Sequence, residues 1–111
     1  MLKILIKLKD KELKTIETDK TQLTIGRNQN NDIYINNLGI SKKHAKIIRQ
    51  DDAYIIEDLG STNGTLLNSK PIKKASLASD DIITIGKYTF SLFIDEARSA
   101  TRDMVEPTIK I

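Results

Sequence analysis

Three polar clusters carry the groups in this chain that could do chemistry: Gly26-Arg27, Ser41-Lys42-Lys43-His44 and Ser61-Thr62-Asn63-Gly64-Thr65. Arg27 can give two parallel N–H bonds to an oxyanion and stays charged at any working pH. Ser41 adds a hydroxyl and Lys42 a point charge. Asn63 offers an amide with two donors and an acceptor, able to pair with a ligand's main chain much as a neighbouring strand would. Thr62 can assist through its hydroxyl or backbone. These groups suit a phosphate and the peptide that bears it. A second chemistry has to be weighed, because Ser41, His44 and Asp58 are the ingredients of a hydrolytic triad. No oxyanion hole or nucleophile elbow accompanies them. His44 is therefore expected to brace the Ser41 loop, and no enzymatic activity is expected.

The elements between these clusters read as short strands. Residues 2–9 alternate apolar residues with lysine, with one slip at Ile4-Leu5-Ile6, so one face is buried and the lysines suit an edge. Residues 12–18 and 21–25 follow as strands, with a turn expected at Asp10-Lys11. Asn28-Gln29-Asn30-Asn31-Asp32 is a run of turn formers. Ile33-Tyr34-Ile35 is a brief strand, and residues 45–50 and 53–59 form a hairpin about Asp51-Asp52. Leu66-Leu67, Ile72 and Leu77 mark further short strands, and residues 82–85 and 88–94 close the pattern about Gly86-Lys87. Ten or eleven strands with tight turns and no helical period predict an all-β antiparallel sandwich. The polar clusters then fall at strand ends, where side chains and backbone N–H groups can converge.

With these residues in place, the chain resembles the forkhead-associated (FHA) domain, the phosphothreonine-binding module. The resemblance rests on Gly26-Arg27, on Ser41-x-x-His44, on the block Asp58-Leu59-Gly60-Ser61-Thr62-Asn63-Gly64-Thr65, and on the closing Asp81-Ile82-Ile83-Thr84-Ile85-Gly86. It covers roughly residues 2–94. It implies an FHA/SMAD-like sandwich of about eleven strands, with ligand loops at one end and both termini at the other. It also implies that Arg27, Ser41 and Lys42 take the phosphate, and that Thr62 and Asn63 take the peptide backbone. Gly26, His44, Gly60 and Gly64 would be loop scaffolding. In some members an arginine two places before the serine selects the third residue after the phosphothreonine. Here that position is Gly39, followed by Ile40, so an apolar third residue is expected.

Composition narrows the alternatives. The chain has 111 residues, enough for one domain, and no cysteine, so neither disulfides nor thiolate metal sites are available. With one histidine, a zinc site is not expected, and no cofactor is implied. No run approaches the roughly 20 apolar residues of a membrane span, and Met1 leads straight into a strand, so a cytoplasmic protein is expected. The net charge is +3. Such a mild excess permits an anionic ligand; a basic β-domain binding nucleic acid is the alternative, but the five aromatics are scattered and mostly strand-interior by pattern. Residues 1–94 form the expected domain, and 95–111, polar and containing Pro107, a tail or linker. Thr101 and Thr108 each precede an apolar residue at the third place, Met104 and Ile111. Phosphorylated, either would be a candidate ligand, in cis or between molecules.

Overall fold

The slip in the first alternating segment is resolved by the pleat. Leu2, Ile4 and Ile6 point inward and are buried, while Leu5 is carried on the outer face among the lysines. In a computed structural model that describes residues 1–94, this segment is β1 (Leu2–Leu8) of eleven strands, with no helix among the described residues. The others are β2 (Lys11–Thr18), β3 (Gln22–Gly26), β4 (Ile33–Tyr34), β5 (Ala45–Gln50), β6 (Ala53–Asp58), β7 (Thr65–Leu67), β8 (Lys70–Ile72), β9 (Lys74–Leu77), β10 (Ile82–Ile85) and β11 (Tyr88–Ile94).

They form two packed sheets, of order β2-β1-β11-β10-β7-β8 and β4-β3-β5-β6-β9. Ile4, Ile6, Ile83, Ile85, Phe90 and Leu92 from the first sheet share one core with Leu23, Ile25, Ile47, Tyr54 and Ile56 from the second. Both sheets have one inward and one solvated face, which is what period-two patterning encodes.

Four details depart from the expectations above. The sandwich is not wholly antiparallel: β4 runs parallel to β3, pairing Ile25 with Ile33 and Gly26 with Tyr34. Leu8 pairs with Lys11, which moves the first turn to Lys9-Asp10, with Lys9 at φ 56°. Leu13 has no place in the ladder, because Lys14 faces Ile6 and Glu12 faces Lys7. It is the extra residue of a bulge on an edge strand and is exposed, a device that discourages further strand addition. The aromatics also split: Tyr54, Tyr88 and Phe90 are buried, but Tyr34 and Phe93 are exposed.

The register locates the ends. Leu2 pairs with Ile94 at one end of β1 and Leu8 with Tyr88 at the other. The β10–β11 turn beyond Tyr88 reaches the β4–β5 loop, since a Cβ added to Gly86 would lie 3.6 Å from the Gly39 carbonyl oxygen. The loops that carry the polar clusters therefore sit opposite the Leu2–Ile94 pair.

Core position and outward position should respond differently in β11. Phe90→Ala, at a fully buried site, is expected to cost about 3–5 kcal/mol, read as a lower urea midpoint. Phe93→Ser on the outer face should stay within about 0.5 kcal/mol.

Candidate functional site

The β3–β4, β4–β5 and β6–β7 loops are joined by hydrogen bonds before any ligand is considered. At the end of β3, the Arg27 N–H donates to the Ser41 carbonyl at 3.0 Å and the Asn28 N–H to the Lys42 carbonyl at 3.2 Å. Asn31 Nδ2 donates to both the Asn28 and Lys42 carbonyls at 2.8 Å. Gly26 is required by this approach: a Cβ there would lie 2.2 Å from the Lys42 carbonyl oxygen. The two loops could not come so close over any other residue.

His44 is fully buried and uses both ring nitrogens. Its Nδ1 accepts from the Ser41 N–H at 3.1 Å, so the proton sits on Nε2, which donates to the Gly64 carbonyl at 2.8 Å. Its backbone N–H donates to Ile25 and its carbonyl accepts from Leu59. One residue thus fixes the Ser41 loop against the 59–64 loop.

That second loop is not the hairpin turn that Asn63-Gly64 suggests in isolation. It carries the chain from β6 in one sheet to β7 in the other. Asp58 shapes it, a residue not among the expected scaffolding positions Gly26, His44, Gly60 and Gly64. Its carboxylate accepts from the Gly60 and Ser61 N–H groups at 2.8 Å, from the Ser61 hydroxyl, and from the Thr65 hydroxyl at 2.7 Å. The available signal was an aspartate two and three places before Gly60 and Ser61, the spacing of an Asx-turn. Partial burial alone would push this carboxyl up. Hydrogen bonds from the Ser61 hydroxyl, the Thr65 hydroxyl and the Ser61 and Gly60 amides outweigh it and lower the group to about 2.

The outcome is an open cleft of about 390 Å³ lined by Arg27, Leu38, Gly39, Ile40, Ser41, Lys42, Gly60, Thr62 and Asn63. All five residues expected to contact a ligand line it, as does Gly60; Gly26, His44 and Gly64 do not line it. Arg27 is held by Nε, which donates to the Ile40 carbonyl at 3.0 Å; no described residue takes its two terminal nitrogens. The Ser41 Oγ accepts from the Thr62 N–H at 3.0 Å, which leaves its own proton to donate. Asn63 Nδ2 bridges to the Gly39 carbonyl at 2.9 Å. Lys42 is exposed and no described carboxylate neutralises it. Thr101 and Thr108 lie outside the described residues.

The depressed Asp58 carboxyl makes loop order acid-sensitive in one direction. Its folded value lies below the ordinary 3.8, so its stabilisation is present above 3.8 and lost as pH falls from there towards 2. Asp58→Asn should therefore show a shallower loss of stability across that window than the wild type, measured by urea unfolding at graded pH.

With the cleft described, comparison with known proteins is informative. The FHA domain family profile matches residues 23–86, which takes in all the residues that line the cleft. The oxoglutarate dehydrogenase inhibitor of Corynebacterium diphtheriae is 36% identical over 81 residues, which are 73% of this chain and 56% of that protein. The chain thus spans just over half the length of that curated relative. Among solved structures, Mycobacterium tuberculosis EmbR in complex with a low-affinity phosphopeptide superposes with a TM-score of 0.76 at 26% identity, over 84% of this chain and 24% of that one. The FhaA FHA domain, complexed with an intracellular domain of a second protein, gives 0.74 at 25% identity over 83% and 99%. A match across more than half of the sequence, on the same two-sheet sandwich, makes this chain a member of the FHA domain family.

Proposed function

We propose that this chain is a phosphothreonine-binding module that couples protein association to phosphorylation, with Arg27, Ser41 and Lys42 on the phosphate and Thr62 and Asn63 on the peptide backbone. The observation that carries this reading is the state of Arg27. Its Nε is anchored on the Ile40 carbonyl, so its planar fork is held in the cleft with two terminal nitrogens to offer beside the Ser41 hydroxyl. Phosphate brings about −1.5 to −2 charges and three acceptor oxygens, which unmodified threonine lacks. Three or four charge-assisted hydrogen bonds at about 1.5–3 kcal/mol each, less ordering costs, correspond to roughly micromolar affinity.

Catalysis is not part of this reading. A Ser-His hydrolase needs an imidazole nitrogen free to take the serine proton, but Nδ1 of His44 accepts from an amide and Nε2 donates to a carbonyl. A nucleic-acid interface is not favoured either, since Tyr34 and Phe93 are exposed on different sheets and offer no common stacking surface.

An adjoining cleft of about 430 Å³ shares Gly39 and Asn63 with the first and has Leu66 and Thr84 in its lining. Leu66 gives it an apolar wall for the expected apolar third residue, and Lys87 and Asn37 line it as well. Residues 1–94 would be the binding domain and 95–111 a linker that could present phosphorylated Thr101 or Thr108. Fourteen residues from Ile94 to Thr108 reach at most about 46–50 Å, and a strand of β1's length spans about 24 Å. Such a ligand would shift the loop amide signals, independently of protein concentration if it binds in cis. A cytoplasmic setting accompanies the reading, because threonine phosphorylation draws on intracellular ATP.

A degenerate phosphothreonine peptide library should bind and its unphosphorylated counterpart should not. Arg27→Ala should weaken binding by about 1.5–3 kcal/mol, roughly ten- to a hundredfold, with a smaller loss for Ser41→Ala, read by titration calorimetry. Undiminished affinity in Arg27→Ala would sink the proposal.

A further inference from the structure

Asn63 has a second chemistry, set by the glycine that follows it. An asparagine side chain can close on the next backbone nitrogen, and a glycine there leaves that approach uncrowded. The Gly64 nitrogen gives up its proton and bonds to the Asn63 Cγ, the Cγ–Nδ2 bond breaks, and Nδ2 leaves as ammonia. Water then opens the cyclic imide at either carbonyl, leaving aspartate or isoaspartate at 63. No oxidant, metal or enzyme is needed. Asn63 is exposed, so water has access.

The fold opposes each requirement of that first step. The Gly64 N–H is committed to the Ser61 Oγ at 2.9 Å, and Ser61 Oγ–H donates in turn to Asp58. The leaving amide is held as well, since Asn63 Nδ2 donates to the Gly39 carbonyl at 2.9 Å. Nucleophile and leaving group are thus both pinned, and to different parts of the structure. Gly64 itself sits at φ 87°, in the left-handed region.

We propose that Asn63 is a latent self-modification site, and that the Asp58–Ser61–Gly64 hydrogen-bond chain suppresses its conversion while the loop is closed. Opening of the loop releases it. The product carboxylate cannot donate to the Gly39 carbonyl and places a negative charge in the cleft that Arg27 lines. The module would then lose anionic ligands irreversibly, at a rate set by how often the loop opens. This consequence rests on the phosphopeptide reading; the suppression itself does not.

The full chain is incubated at mildly alkaline pH, folded or in urea, and conversion at residue 63 is followed by peptide mapping with mass spectrometry. Folded wild type should convert roughly tenfold or more slowly than the urea sample, because two hydrogen bonds must break first. Ser61→Ala, still folded, should convert about two- to tenfold faster than wild type, the factor of one net hydrogen bond, and Ser61→Thr should restore the slow rate. Equal rates for folded and unfolded wild type, or a folded Ser61→Ala as slow as wild type, would overturn the proposal. If Ser61→Ala does not fold, conversion in wild type at graded urea should track exchange of the Gly64 amide proton, and a rate indifferent to that exchange overturns it equally. Converted protein, separated by ion exchange, should lose phosphothreonine peptide binding. Unconverted protein that fails to bind that peptide would count against the phosphopeptide reading alone, because the mapping result does not depend on it.

Discussion

The loop end of this sandwich depends on a single buried imidazole. His44 contributes four hydrogen bonds to four partners: its amide to Ile25, its carbonyl from Leu59, Nδ1 from Ser41 and Nε2 to Gly64. A fully buried polar ring is tolerated only because every hydrogen-bonding atom is satisfied, and removing one partner leaves a desolvated group that costs about 1–3 kcal/mol. Such a network has one low-energy arrangement. It holds the two cleft loops at a fixed separation.

Around it, most of the side-chain ties within and between the loops run to main-chain atoms. Asn31 caps carbonyls at 28 and 42, Asn37 accepts from the Gly39 amide, and Asp58 collects two amides and two hydroxyls. Side chains thus replace the ladder that irregular backbone lacks, which is how a loop can be both exposed and ordered. Within the cleft, the terminal nitrogens of Arg27 and the proton of Ser41 are what the described scaffold does not consume. Preorganisation of this kind lowers the ordering cost of association.

Much of this architecture was legible in the residues. The alternation in β1, β5, β6, β10 and β11 identified strands and their buried faces, because the pleat sends successive side chains to opposite sides. The Asp51-Asp52 and Gly86-Lys87 turns lie where turn chemistry put them. Less legible were Leu13, an apolar residue in a strand-like run that a bulge turns to solvent, and β4, whose two residues pair parallel to β3. A bulge depends on register with a neighbour, and parallel pairing on the path of a loop, so neither leaves a mark in a local pattern. Asn63-Gly64 alone does not tell a hairpin turn from a loop between sheets, because the same dipeptide serves any backbone that needs a positive φ.

The sequence by itself determined the residue types that can hold a phosphate, the strands that carry them and, through the family resemblance, their grouping at one end. Those properties are local, written in side-chain chemistry, periodicity and turn residues. Only the tertiary structure decided that Arg27, Ser41, Lys42, Thr62 and Asn63 line one cleft, that His44 is spent on bracing both loops, and that Asp58 organises the second of them. Hydrogen bonds between loops distant in sequence exist only once two sheets have packed, so their partners are chosen by the fold and not by neighbours along the chain.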